Sequence, residues 1–391
     1  MRITLHLLVS FLILAGCGGS DAASEPEEWV WDLPENIKPP KVPEDNPMTV
    51  PKVELGRFLF YDTRLSGNQT QSCASCHIQE LAFTDGLALA EGSTGEIHPR
   101  NSMMIANSGY AASLTWANDV LDKLEEQALV PMFGEEPVEL GMAGREDELL
   151  QRLRDDVRYP RMFADAFPDD EDPINLGNIT KALGSFQRQV TSFNSPFDQW
   201  NRGDKSALNE SEQRGLALFF GGTTEAGVTD ALECFHCHGG FLLSQSSDHE
   251  DNVFDQKAFM NNGLYHLDED GSYPAGNQGI YELSFESVDK GRFKPPSLRN
   301  VAVTAPYMHD GSIATLEEVV RQYERGGRLV PEGTVINGQD VSGDGRDNPN
   351  KSSFLNGFEI TDQEREDLLA FLRALTDEDL LTNLAYSDPF A

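Results

Sequence analysis

Cys73-Ala74-Ser75-Cys76-His77 and Cys234-Phe235-His236-Cys237-His238 decide how this 391-residue chain is read. Four cysteines in an exported chain could form two disulfides, but a disulfide framework has no need of a histidine directly after each pair. Structural zinc also uses cysteine and histidine, yet its further ligands come from distant positions rather than from the next residue. Cys-x-x-Cys-His is the attachment sequence of c-type haem: two thioethers hold the porphyrin and the adjacent imidazole ligates iron. Two copies predict two covalent haems, attached at Cys73, Cys76, Cys234 and Cys237, with His77 and His238 as iron ligands.

Outward from these motifs the chain repeats. Glu54-Leu55-Gly56-Arg57-Phe58-Leu59-Phe60 precedes the first motif, and Gln213-Arg214-Gly215-Leu216-Ala217-Leu218-Phe219 the second. Each is a short helical pattern with Gly and Phe four apart on one face. Asn209 and Glu212 supply a capping box for the second. After the motifs, Arg100-Asn101 is echoed by Arg299-Asn300, and Leu124-Glu125-Glu126 by Leu316-Glu317-Glu318 at an offset of 192 positions. The repeat predicts a mainly α fold of two c-type cytochrome domains with long loops, 48–205 and 206–385, each carrying one haem.

The same offset compares iron ligands. Thr315 and Glu318 form a capping box, Leu316, Val319, Val320 and Tyr323 share a helical face, and Gly326-Gly327 supplies the stop. Tyr323 therefore points where the helix packs, either as a core tyrosine or against a haem. Its first-half counterpart is Pro131, which cannot bind iron. One haem then has a sixth ligand available and the other an empty face, where peroxide could bind. Other ligands stay open: His98, Met103, Met104 and Met132 in the first half, and Met260, His266, Met308 and His309 in the second.

The chain starts Met1-Arg2, continues with an apolar stretch from Leu5 to Ala15, and reaches Leu14-Ala15-Gly16-Cys17. This is a secretory signal over 1–16. Leu-Ala-Gly-Cys looks like a bacterial lipobox, which implies cleavage before Cys17, lipid on its sulfur and, with Gly18, the periplasmic side of the outer membrane; the alternative is a plain signal with an incidental cysteine. Residues 17–47, rich in Pro and Glu, read as a tether. With 65 acidic and 30 basic residues the net charge is −35, which excludes nucleic acid as a partner. Only the lipid would touch the membrane.

These motifs resemble the bacterial di-haem cytochrome c peroxidase/MauG superfamily over residues 48 to 378. The resemblance is carried by Leu55-Gly56-Arg57-Phe58-Leu59-Phe60-Tyr61-Asp62, by Phe293-Lys294-Pro295-Pro296-Ser297-Leu298-Arg299-Asn300-Val301 and by Thr304-Ala305-Pro306-Tyr307-Met308-His309-Asp310-Gly311-Ser312. The stretch from Gly345-Arg346 to Lys351-Ser352, followed by Gly357-Phe358-Glu359, is most similar to MbnH-type enzymes of methanobactin gene clusters. The resemblance implies that peroxide reacts at the haem on His77 and that Tyr323 falls where cytochrome c peroxidases have an axial methionine and MauG an axial tyrosine. Trp116 would bridge the haems, with Gln127 and Glu139 in the distal pocket. Asn101, with the carbonyls of Thr304 and Pro306, would bind calcium. Peroxide cleavage moves a proton between oxygens, which a pocket carboxylate can do; Glu139 is otherwise a solvated charge, and Trp116 otherwise a core residue. Asp340-Val341-Ser342-Gly343-Asp344-Gly345 lacks a closing Glu and reads as a polar loop rather than a calcium loop.

Two positions depart from relatives. Ser93 stands where many cytochrome c peroxidases have a histidine that closes the resting iron, and Leu232 where MauG has a surface tryptophan. Trp200 is a candidate replacement exit. The implied function is a high-valent di-haem state, made with hydrogen peroxide, that oxidises a partner: by resemblance a tryptophan of a copper-binding periplasmic protein, converted towards kynurenine. The alternatives are a peroxidase fed by a small cytochrome c and a non-catalytic di-haem electron carrier.

Overall fold

The computed structural model describes residues 29–224, 227–229, 232–248 and 257–391. Segment 1–16, Cys17 and the first part of the tether lie outside the described residues. Thr49 accepts a hydrogen bond from the Lys52 N–H (3.3 Å) and Pro51 sits in the first turn, so a helix starts here and runs Val50–Tyr61. It buries Val53, Leu55, Gly56, Leu59 and Phe60 against helix Leu176–Gln189. The crossing is close because Gly56 has no side chain: a Cβ there would lie 2.0 Å from the Ala182 carbonyl oxygen and 2.8 Å from Phe186 Cβ.

The crossing recurs in the second half. Helix Glu210–Phe220 begins at the expected Asn209–Glu212 capping box and meets Asp362–Arg373, itself capped by Thr361 and Glu364. A Cβ on Gly215 would lie 2.0 Å from the Asp367 carbonyl oxygen and 2.7 Å from Phe371 Cβ. Phe60 packs on Phe186 with ring centroids 5.2 Å apart, and Phe219 on Phe371 at 5.4 Å.

A backbone lock repeats beside each crossing. The Asn107 N–H donates to Val190 O (2.8 Å), and its Oδ1 accepts from the Ser192 N–H (2.9 Å). The Asn300 N–H donates to Leu375 O (2.9 Å), and its Oδ1 accepts from the Asp377 N–H (2.8 Å). Both asparagines take left-handed backbone, φ 62° and 60°, which asparagine tolerates better than most residues. Asn300 is therefore matched by Asn107. This corrects the expected echo of Arg299-Asn300 in Arg100-Asn101: Asn101 instead donates its N–H to His309 O (2.8 Å), tying the halves together.

A third cluster holds Leu264, Tyr265, Tyr273 and Phe293, and Trp116 from the first half packs on it. The chain end returns to the first core, where Leu380 and Tyr386 are buried and Gln79 donates to the carbonyls of Leu380 and Asn383 (both 2.9 Å). Strands are short pairs, among them Leu329–Val330 with Gly343–Asp344 and Val335–Ile336 with Gln339–Asp340. The latter pair turns on Asn337-Gly338, both at positive φ. Asp344 is held by Arg325 (2.6 Å), so the Asp340–Gly345 stretch is a polar loop fixed by an ion pair. Among the described residues no helix is long and apolar enough to cross a membrane.

Alanine gains up to about 1 kcal/mol over glycine in a helix, whereas overpacking against a rigid backbone costs about 1–3 kcal/mol. Gly56→Ala and Gly215→Ala should each lower stability by about 1–2 kcal/mol, while Gly177→Ala, at an exposed position whose nearest contact would be 3.3 Å away, should be neutral or stabilising. Denaturant unfolding checks the contrast; equal effects at all three sites would refute it.

Candidate active site

Ser72 and Ser75 form a capping box that starts the helical turn Cys73–Cys76. The turn continues in a His77 N–H bond to Cys73 O (3.1 Å), as it does in the second motif from His238 to Cys234 O (3.0 Å). All four thiols are unpaired. Burial pushes Cys73 and Cys234 up to about 12 and Cys76 up to about 11. Among the described residues no three His, Cys, Asp or Glu side chains gather as a metal site, so neither motif is completed as a zinc centre.

Each motif histidine is oriented by a carbonyl. His77 Nδ1 lies 2.8 Å from Phe83 O, and His238 Nδ1 lies 3.1 Å from Pro296 O. A carbonyl only accepts, so Nδ1 carries the proton and Nε2 keeps its lone pair, the form in which histidine binds iron. Burial lowers both imidazoles, His238 to about 4, which keeps them neutral. Pro296 belongs to the Phe293–Val301 motif, whose other residues also have work: Ser297 Oγ donates to Leu242 O (2.6 Å), and Arg299 makes a buried bidentate pair with Asp198 (2.7 and 2.9 Å).

A cavity of about 500 Å³ opens over His77 and is lined by Cys73, Cys76, Trp116, Gln127, Pro131 and Glu139. Unpaired cysteines, a histidine whose Nδ1 is tied to a carbonyl and this volume fit a haem. Gln127 ends the short helix Leu124–Gln127, and Pro131 sits in Leu129–Phe133, so the stretch matching the unbroken second-half helix Leu316–Arg325 is divided here. Glu139 is held by its backbone neighbours: Leu140 N–H donates to Pro131 O (2.8 Å) and Ser93 N–H to Glu139 O (2.7 Å). Burial raises the Glu139 carboxyl above the usual range. His98 Nε2 lies 3.8 Å from its Oε1.

Among the alternative first-half ligands, Met132 is fully buried in the helical core, Met103 and Met104 line the cavity, and Met104 sulfur receives Asn300 Nδ2 (3.7 Å). In the second half, Thr315 and Glu318 cap the Tyr323 helix and Gly326 ends it at φ 78°. Burial, with Cys237 and Cys234 nearby, pushes the Tyr323 hydroxyl up, and a hydrogen bond from the Asn262 side chain pulls it down. Asn262 Nδ2 also reaches Met308 sulfur (3.2 Å). His266 Nδ1 faces Asp344 O (3.3 Å), His309 stacks on Phe293 with centroids 3.6 Å apart, and Met260 pairs with Phe293 in a strand.

Trp116 donates its indole N–H to Asn101 O (2.8 Å), and its own carbonyl accepts from the Lys294 N–H (2.8 Å). Asn101, Thr304 and Pro306 line the same cavity, and Asn101 Nδ2 is spent on Leu87 O (2.6 Å), leaving its Oδ1 as the donor type calcium takes. Sequence reasoning gave Lys294 no role. It is buried beside Trp116, donates to Ser113 O (2.7 Å), and is lowered by burial to about 7. Asn262 carried no sequence signal at all. Trp200 has Lys205 Nζ 3.4 Å over its ring, and a cation there opposes removal of an electron, which weighs against Trp200 as an exit.

A family description of di-haem cytochrome c peroxidase matches residues 50–206. Cytochrome-c peroxidase IdrP1 of Denitromonas iodatirespirans is 36% identical over 376 residues, spanning 90% of this chain and 88% of that protein. The chain belongs to the di-haem cytochrome c peroxidase/MauG family. The methylamine utilization protein MauG of Methylorubrum extorquens is 33% identical over 88% of this chain and 83% of its own. The crystal structure of a MauG-like protein associated with microbial copper homeostasis superposes with a TM-score of 0.87 at 47% identity, over 93% of this chain and 100% of the other. The family carries two haems, and the chain is a peroxidase-type oxidoreductase that uses peroxide, which sets aside the passive carrier.

His309 gives a pH test. It is buried, its Nε2 has no partner, and burial lowers it from 6.5 to about 4. Between those values the unfolded chain binds the extra proton, so stability falls as pH drops through that window, by roughly 3 kcal/mol. About 2 kcal/mol of that loss falls between pH 7 and pH 5; His309→Phe should remove it, chemical unfolding of both proteins at the two pH values measures it, and parallel losses would contradict the assignment.

Proposed function

We propose that this enzyme is MauG/MbnH-like: it uses peroxide to oxidise a partner protein, by analogy with its relatives a tryptophan of a copper-binding periplasmic protein, towards kynurenine. In this reading residues 48–205 and 206–385 are two cytochrome c domains. One haem is bonded to Cys73 and Cys76 with His77 on iron, the other to Cys234 and Cys237 with His238 on iron. The observation that carries the reading is the asymmetry between matched helices: Pro131 lines the cavity over His77, while Tyr323 lies beside Cys234 and Cys237.

When bound, the haem pair supplies the electrons that cleave the peroxide O–O bond and stores the resulting oxidising power. The chain does the rest. The Pro131 face excludes a protein ligand and leaves room for peroxide, and Ser93 offers no imidazole to close it. Glu139, kept protonatable by burial, takes a proton from one peroxide oxygen and gives it to the leaving oxygen. Gln127 orients the peroxide by hydrogen bonding. Tyr323 would offer its phenol oxygen to the second site, and on giving up its proton there it would favour the oxidised state of the group held by His238. Trp116, fixed at its indole N–H and its carbonyl, links the two sites, and calcium held by Asn101, Thr304 and Pro306 would hold the halves in register. Cys17 would tether the enzyme by lipid on the periplasmic side of the outer membrane.

A cytochrome c peroxidase fed by a small basic cytochrome is the second reading, favoured by the net charge of −35. Peroxide added to the holoprotein with and without each partner separates them. Kynurenine in the copper-binding partner, detected by mass spectrometry, with slow turnover of reduced cytochrome c, is expected; fast cytochrome turnover with an unmodified partner would reverse the choice. Glu139→Gln should slow the peroxide reaction about 10²–10³-fold in stopped-flow absorption, with both haem spectra unchanged at rest; an unaltered rate would remove Glu139 from the mechanism.

A further inference from the structure

His98 is a titratable residue of the His77 cavity to which the reading above gives no role. Its backbone N–H donates to Ala90 O (2.8 Å), and its ring Nδ1 accepts from the Arg100 N–H (3.1 Å). A ring nitrogen that accepts a hydrogen bond carries no proton, so the neutral imidazole has its proton on Nε2. That nitrogen lies 3.8 Å from Glu139 Oε1, a gap that a small side-chain rotation closes. With Nε2 committed as a donor, His98 is not arranged as an iron ligand.

We propose that His98 is the positioning residue of Glu139: its Nε2–H, brought on by a small rotation of either side chain, holds the carboxylate in the cavity. The proposal rests on Glu139 acting as the base. The Arg100 N–H occupies Nδ1, so the single proton of the neutral imidazole stays on the nitrogen that faces Glu139. The surrounding charges bear on that form. Burial and then Arg100, itself paired with Glu282 (2.6 Å), oppose protonation of the ring; Glu91, Glu96, Glu139 and Glu282 are the acids on the same cavity.

The test compares holoprotein of the wild type with His98→Leu, which removes the donor, and His98→Gln, which keeps an N–H donor. His98→Leu should slow the peroxide reaction about tenfold. His98→Gln should keep most of the rate and the pH profile. In the resting protein, infrared absorption should show the Glu139 carboxyl band persisting to higher pH in His98→Leu, because a lost donor destabilises the carboxylate. Unchanged rate, profile and carboxyl band in both variants would overturn the proposal, as would a change of spin state at the resting iron. If Glu139→Gln is slow and the His98 variants are not, His98 fails alone; if none is slow, the base assignment of Glu139 fails with it.

Discussion

Two backbone carbonyls, Phe83 O and Pro296 O, determine which nitrogen of His77 and His238 is offered to a metal. Neither is optional. An imidazole with no acceptor at Nδ1 could take either tautomer and rotate, and an iron ligand must do neither. Phe83 packs on Phe60 of the first crossing (ring centroids 6.2 Å apart), and Leu298, two residues past Pro296, packs on the second core. The helical frame fixes two imidazoles, and the thiols lie within one helical turn of each.

On that frame the halves diverge where chemistry requires it. The crossings, the aromatic pairs and the asparagine locks are matched almost atom for atom. The helix over the second site runs unbroken from Leu316 to Arg325 and presents Tyr323, whereas its counterpart is split and carries Pro131. The short helix Leu129–Phe133 ends two residues past Pro131, whose carbonyl then receives Leu140 N–H beside Glu139. That difference is what the proposed division of labour, peroxide on one side and electron storage on the other, is built on.

Much of this was legible beforehand because it rests on local pattern. Capping boxes at Asn209 and Thr315, the glycine crossings and the two Cys-x-x-Cys-His turns follow from spacing alone, and the Pro131–Tyr323 comparison needed only the offset. The lock at Asn107 was not legible: the Arg-Asn dipeptide drew attention to Asn101, while the true match depends on a left-handed backbone that leaves little trace in sequence. Lys294 and Asn262 were missed, and His98 was weighed only as an iron ligand, for a related reason. Their significance lies in what faces them across the fold, at sequence separations no periodicity reports.

The account turns on unequal coordination of two irons. Electron paramagnetic resonance of the resting ferric holoprotein measures it directly, in the wild type and in Tyr323→Phe. The account predicts one high-spin and one low-spin signal, with only the low-spin signal changed by the substitution. Two low-spin signals in the wild type, or a low-spin signal indifferent to loss of the Tyr323 hydroxyl, would contradict it.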